Sequence, residues 1–319
     1  MLPNLLHPAS ILWITDPEDT LDRSQDTTLR LAAEALNRGV RSYWSGSDSV
    51  LDAPAGMLKV RPFDRFDDAE CFEILPAAGF SQIHYRVDPP VDSQYRGLLD
   101  ALIKHGADAN RIHNPPGLIT TQSEKLPPPG LLDLAPRHRV IASREDVEPA
   151  HFLVAGLEDW VSKPMNLAQS IGVKRWKTPA SRKEFLQWME AETEAFTRPV
   201  LVEEFLKGIE QGEVRMWFAM GEFVGALKKH PLQGDFRVLI DQGSRIESWL
   251  LDERESAAAL RVGSALKQQR ISLAAIDFID GRISDYNITS PGLLVQLEKA
   301  HGGVNFAGRI IDLLLTGWT

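Results

Sequence analysis

The chain has 319 residues, 43% of them apolar and 25% charged, with a formal net charge of -9 at neutral pH. Such a length exceeds one ordinary core of roughly 100–200 residues and calls for two or three packed units, and no apolar run approaches the ~20 residues of a membrane span. The acidic balance argues against a general nucleic-acid binder, and a single cysteine, Cys71, excludes an intrachain disulfide or a Cys-rich metal site.

Met1 to Ser10 lack the basic flank, long apolar stretch and small-residue cleavage site of a secretory signal, so a cytoplasmic location is the expectation. Ile11 to Thr15 read as a buried strand emptying into Asp16-Pro17. From Asp26, an N-cap candidate, Leu29, Leu31, Ala32, Ala35 and Leu36 recur at helical spacing until Gly39, and Val40 to Trp44 form a second strand. A strand, helix and strand in succession predict a parallel sheet with a crossover helix. Ile83 to Val87 add a strand closed by Asp88-Pro89-Pro90, and Asp92 caps a helix carrying Leu98, Leu99, Leu102 and Ile103. This first α/β unit, residues 1–126, ends where Pro127-Pro128-Pro129 remove three backbone donors and mark a boundary or hinge.

A small mixed unit, 127–199, is predicted next. Its strands are Arg139–Ala142, Trp160–Ser162 and Ile171–Trp176, and its helices Glu145–Val154 and Ser181–Glu192. The third unit, 200–319, opens with strands Val200–Leu206, Val214–Ala219 and Phe223–Lys228. A helix over Glu253–Lys267, a hairpin of Ala274–Ile279 with Ile283–Ile288, and a final helix from Val304 to Leu315 complete it.

The hairpin carries the chemistry. Asp285 and Asn287 are two apart, so in a strand their side chains leave one face about 7 Å apart, a gap that a hard cation bridges with oxygen ligands. Whether Asp277 joins them depends on register. A loop of Asp280-Gly281 alone sends Asp277 and Asp285 to opposite faces, whereas a three-residue loop or a bulge gathers them on one. A solvent-facing acidic hairpin is the competing reading.

The segment Ile276-Asp277-Phe278-Ile279-Asp280-Gly281-Arg282-Ile283-Ser284-Asp285-Tyr286-Asn287-Ile288-Thr289-Ser290-Pro291 resembles the C-terminal signature of bacterial glutathione synthetase, an ATP-grasp family. In that signature Asp, Glu and Asn hold the magnesium of ATP; Asp285 stands here where the family has Glu. Further segments match in the same order: Asp16-Pro17, Arg86-Val87-Asp88-Pro89-Pro90, Asn114-Pro115, Ser123-Glu124-Lys125-Leu126, Ser162-Lys163-Pro164 and Glu213-Val214-Arg215.

The resemblance implies an ATP-grasp fold, α/β overall, with an N-terminal parallel α/β domain, a small lid domain and a C-terminal ATP-grasp domain. It also implies ATP and Mg2+, with Mn2+ as an alternative. The activity it implies is amide formation: a carboxylate is activated as its acyl phosphate and then meets an amine such as an amino acid. Lys125 and Lys163 would contact phosphates, Glu203, Glu204, Phe205 and Leu206 would border the adenine, and Glu213 would lie near the ribose. Arg215 and Arg237 would be catalytic, facing substrate and phosphates. Asp277, Asp285 and Asn287 would hold metal, and Arg86, Asp88 and Ser290 would meet the small-molecule or short-peptide substrates. A homo-oligomer, with neither nucleic acid nor membrane as partner, completes the expectation.

Four departures qualify it. Met165-Asn166-Leu167-Ala168-Gln169-Ser170 replaces the family's glycine-rich phosphate loop, and Leu239 replaces an Asn, with Asp241 two residues on as a candidate substitute. The proline run replaces a helical stretch, and Lys229-His230 stand in for an Ala-Arg step, which weakens one substrate-side cation. The alternative to a ligase is therefore an ATP-grasp protein that binds nucleotide or peptide without turnover.

Overall fold

The computed structural model describes residues 9–318; residues 1–8, most of the stretch read above for a leader, lie outside them, as does Thr319. The first unit begins with β1 (Ser10–Thr15), buried throughout, then α1 (Thr27–Asn37) and β2 (Arg41–Gly46). Asp26 caps α1 as expected: its carboxylate accepts from the Leu29 amide at 2.7 Å, and Gly39 at φ +73° ends the helix. β3 (Met57–Pro62) and β4 (Glu73–Pro76) follow, then β5 (Gln82–Tyr85), α2 (Ser93–Lys104) capped by Asp92, β6 (Ile112–His113) and α3 (Pro116–Ile119).

The sheet order is β4-β3-β2-β1-β5-β6. β1 pairs in parallel with β2 and β5, and β5 with β6, but β3 and β4 are antiparallel additions. The expected parallel sheet is therefore mixed, because no helix lies between β2 and β3 to carry the chain back over the sheet.

Against this sheet His84 is sandwiched by Trp13, with centroids 4.5 Å apart, and His113, at 5.1 Å. Burial holds both imidazoles neutral: it pushes His84 well below its ordinary value, helped by His113, and lowers His113 to about 4. The unfolded chain protonates these histidines near pH 6.5 and the folded chain resists. Stability is therefore complete above that pH and is lost as pH falls toward about 4, by on the order of 2–3 kcal/mol for His113 alone. Denaturation midpoints taken across pH 7 to 4 should show this slope, shallower in His113→Gln. An unchanged slope in that variant would remove His113 from the account.

The second unit comprises β7 (His138–Ile141), α4 (Val147–Val154), β8 (Asp159–Pro164), β9 (Lys174–Lys177), α5 (Arg182–Glu192) and β10 (Val200–Glu204). Its antiparallel sheet runs β7-β10-β8-β9. Because β10 is paired on both sides within this sheet, the unit extends to Glu204 and not to residue 199 as expected. Ile141, Val147, Ala150, Phe185, Met189 and Val202 give it a core of its own. There Trp160, Trp176 and Trp188 lie 5.4, 5.2 and 6.3 Å from one another.

The third unit holds β11 (Glu213–Ala219), β12 (Glu222–His230), β13 (Arg245–Trp249), α6 (Glu253–Gln268), β14 (Leu273–Ile279), β15 (Arg282–Asn287), α7 (Leu294–Ala300) and α8 (Phe306–Thr316). Its antiparallel sheet runs β13-β12-β11-β14-β15. Two continuous cores join the first and third units: Leu12, Tyr85 and Leu99 pack with Met216, Phe218 and Ile276, and Ile11, Trp13 and Leu31 with Trp217, Leu294 and Ile310.

Asn114 closes the seam between them. Its amide donates to the carbonyls of Leu273 and Ile288, both at 2.7 Å, and its oxygen accepts from the Ser272 amide, the Ser272 hydroxyl and the Leu273 amide. The proline run does serve as the passage into the second unit. The turn after it is pinned by Arg261, whose guanidinium reaches the Asp133 carboxylate at 2.7 Å, and by Arg282, which donates to the Asp133 carbonyl at 2.7 Å. Among the described residues, no helix is long and apolar enough to cross a membrane.

Candidate active site

The β14–β15 hairpin turns through Asp280-Gly281, both left-handed at φ +51° and +72°, the geometry of a two-residue loop. Such a loop alone would separate Asp277 from Asp285. A bulge restores them: Phe278 pairs with Ile283 and Asp277 with Asp285, leaving Ser284 as the extra residue. Asn287 pairs with Ala275 two positions along.

Asp277 is buried and doubly paired. Arg215, its neighbour on β11, forks onto it with Nε at 2.8 Å from Oδ1 and an Nη at 2.7 Å from Oδ2, and Lys229 from β12 donates to Oδ2 at 2.9 Å. Burial alone would raise this carboxyl; the Arg215 and Lys229 charges overcome it and hold Asp277 well below the usual carboxylate range. Burial likewise works against the Arg215 charge, and Asp277 more than restores it.

Lys229 also reaches Glu213 at 2.7 Å, and Glu213 accepts from the Ser284 hydroxyl at 2.6 Å. The bulge thus contributes twice, because the Ser284 carbonyl accepts from Lys163 at 2.9 Å. Lys163 is paired with Glu203 at 2.6 Å; burial opposes its charge, and Glu203 outweighs that and raises its pKa. Lys125 donates to Asp285 Oδ1 at 2.9 Å.

These groups share one cavity of about 620 Å³. At one end Val161, Phe205, Ile209, Phe236, Val238 and Ile279 form an apolar wall between the second and third units, the apolar slot of the cavity. Lys125, Lys163, Glu213, Arg215, Lys229, Asp277, Asp285 and Asn287 line the floor, and Asp88 and Ser290 the far end.

The structure therefore brings together most residues singled out from sequence. Phe205 and Leu206 border the slot, while Glu204, also at the cavity wall, is held by Arg137 at 3.0 Å. Asp88 and Ser290 are hydrogen-bonded to each other. Arg237 and Asp241 line the cavity from the loop before β13, where Asp235 grips Arg237 at 2.8 Å; that ion pair lowers Asp235 to about 2.

Arg86 is the exception and does not line the cavity. Its guanidinium is buried, donating to the Thr28 hydroxyl at 2.9 Å and the Pro291 carbonyl at 2.7 Å, so it braces the loop that carries Ser290 without lining the cavity. The two residues at the Ala-Arg step, Lys229 and His230, part company. Lys229 lines the cavity and donates to Asp277, whereas His230 turns to Glu247 at 2.8 Å.

Glu124, beside Lys125, carries no role in the sequence reading. It is buried, accepts from the Ile288 and Thr289 amides at 2.7 Å each, and shapes the turn after β15; burial and then Asp285 raise its pKa. Its place in the matched segment Ser123-Glu124-Lys125-Leu126 was the signal that pointed to it.

A cavity between two units with lysines on both walls, an apolar slot and an acidic hairpin below is the arrangement of the ATP-grasp superfamily of ligases. A family model described as "Prokaryotic glutathione synthetase, ATP-grasp domain" matches residues 124–302, and one described as "Prokaryotic glutathione synthetase, N-terminal domain" matches 10–118. The chain belongs to the prokaryotic glutathione synthetase family.

A protein named glutathione synthetase from Parasynechococcus marenigrum (strain WH8102) is 30% identical over 300 residues, covering 90% of this chain and 93% of that one. One of the same name from Prochlorococcus marinus (strain MIT 9313) is 29% identical, covering 95% and 98%. Among solved structures, that of the D-cycloserine synthetase DcsG shares the fold, with a TM-score of 0.68 at 14% identity over 96% of this chain and 99% of that one.

Proposed function

We propose that this protein is a glutathione-synthetase-like ligase that uses Mg-ATP to phosphorylate a substrate carboxylate and joins the acyl group to an amine. The observation that carries the reading is the convergence, in one cavity, of an apolar base slot with Lys125, Lys163, Arg215 and Lys229 around the Asp285–Asn287 edge of the hairpin.

Phosphoryl transfer asks mainly for positioning and for charge compensation. Lys163 and Lys125, now held by Glu203 and Asp285, would turn to the phosphates. Arg215 and Lys229 would face the charge developing on the transferred group, with Asp277 fixing both heads in place. Arg237 would close from the rim, with Asp241 beside it in place of the Asn absent at Leu239, and Asp88 and Ser290 would meet the substrates.

Among the described residues no three His, Cys, Asp or Glu side chains converge as a ready metal site, and both Asp277 oxygens are taken by Arg215 and Lys229, so the cation would rest on what the hairpin leaves free. Only one oxygen of Asp285 is engaged by Lys125, and its second oxygen with the Asn287 amide oxygen would hold Mg2+ together with what coordination Asp277 retains. Bound there, Mg2+ (or Mn2+) would offset the nucleotide charge.

Calorimetric titration with Mg-ATP followed by phosphate release in the presence of γ-glutamylcysteine and glycine, then other acids and amines, tests the proposal. No binding at millimolar Mg-ATP would sink it. The glycine-poor loop favours one second reading, nucleotide binding without turnover, which predicts binding but no phosphate release with any pair. Lys163→Met removes one phosphate contact and leaves Glu203 without its cation, so the Kd for Mg-ATP should rise about tenfold or more. An unaltered Kd would place Lys163 in a structural role.

A further inference from the structure

The segment joining β8 to β9, Met165–Val173, occupies the place of a phosphate-covering loop without that loop's glycines. Its one glycine, Gly172, serves packing. It is left-handed at φ +74°, and a Cβ there would come 2.8 Å from the Pro164 side chain. The loop is tied at both ends: the Ser123 hydroxyl donates to the Met165 carbonyl at 2.9 Å, the Met165 amide to the Pro199 carbonyl at 3.1 Å, and the Val173 amide to the Ser170 carbonyl at 3.3 Å.

Between these ties Gln169 and Ser170 are consecutive left-handed residues, at φ +54° and +59°. For side chains with a Cβ that conformation is unfavourable, and such strain concentrates where a ligand is held. Both residues line the cavity that contains Lys125, Lys163 and Asp285. Among the described residues, neither side chain has a hydrogen-bond partner.

We propose that Gln169 and Ser170 close the anionic end of the nucleotide with side-chain donors, the carboxamide N–H and the hydroxyl taking the place of the bare backbone amides of a glycine-rich loop. This rests on the Mg-ATP reading above. It accounts for a loop that has given up glycine while keeping polar groups at the two positions where the backbone turns into the cavity.

The test is calorimetry with Mg-AMP-PNP and with AMP on the full chain, for wild type, Gln169→Ala, Ser170→Ala and the double variant Gln169→Gly/Ser170→Gly. Each alanine variant should weaken AMP-PNP about tenfold, the usual range for a hydrogen bond to a charged group, and leave AMP unchanged. The double glycine variant relieves the strain but removes both donors, and should also lose affinity for AMP-PNP. Wild-type affinity in both alanine variants, equal losses for AMP and AMP-PNP, or tighter binding by the double glycine variant would each overturn the proposal. Failure of the wild type to bind AMP-PNP at all would instead bring down the ligase reading and this inference with it. Far-UV circular dichroism of each variant separates loss of contact from loss of fold.

Discussion

Asp277→Ala is expected to lower the unfolding free energy by about 3–5 kcal/mol, because it leaves the Arg215 guanidinium and the Lys229 ammonium buried with their shared anion removed. The loss comes from uncompensated charge, not from lost side-chain volume. Asp277→Asn should recover only part of it, since an amide oxygen accepts hydrogen bonds but carries no charge. Both variants should also lose the metal dependence of nucleotide binding: with Arg215 and Lys229 released, the site becomes cationic enough to hold triphosphate without Mg2+. Urea denaturation and ATP titration with and without magnesium measure the two effects. Near-native stability of Asp277→Ala would mean that Glu213 suffices to hold both cations, and unchanged magnesium dependence would remove Asp277 from metal binding.

Asn114→Ala should be comparably severe, on the order of 3–5 kcal/mol, because it strips partners from buried donors and acceptors on Ser272, Leu273 and Ile288 at once. Asn114→Asp offers no remedy. It would set carboxylate oxygens against the Leu273 and Ile288 carbonyls, so repulsion replaces two donated bonds. Because the seam joins two units over shared cores, both variants should still unfold in one transition, at lower denaturant. A midpoint within about 1 kcal/mol of wild type for Asn114→Ala would show that water fills the gap.

What could be read from the sequence follows how local each signal is. Asp26 and Asp92 announce their helices because a cap acts within three residues. In the third unit β11, β12, β14 and β15 were visible from their apolar alternation, but β13 was missed, its residues being only half-buried or exposed. β3 and β4 were not, since their pairing is lateral and Glu73–Pro76 are mostly exposed.

The hairpin lay between these cases. Its residues were identifiable, but the register turned on a bulge at Ser284 that no residue type specifies. Lys229 and Arg86 show a different limit. Each was placed correctly in the chain, yet which way the side chain turns depends on distant partners, Asp277 on β14 for one and Pro291 for the other. The apolar slot was invisible for a related reason, as its six residues come from four separate segments.

The indole stack of the second unit has a spectroscopic consequence. Three of the chain's eight tryptophans sit within 6.3 Å of one another there. At such separations their electronic transitions couple, so the near-ultraviolet dichroism of the protein is weighted toward the geometry of this one unit. Trp176 is tied by its ring nitrogen to Ser162, the residue before Lys163, at 2.8 Å. If a nucleotide draws on Lys163 as proposed, it would pull on a strand tied to a chromophore, and the near-ultraviolet dichroism should then register events in the cleft.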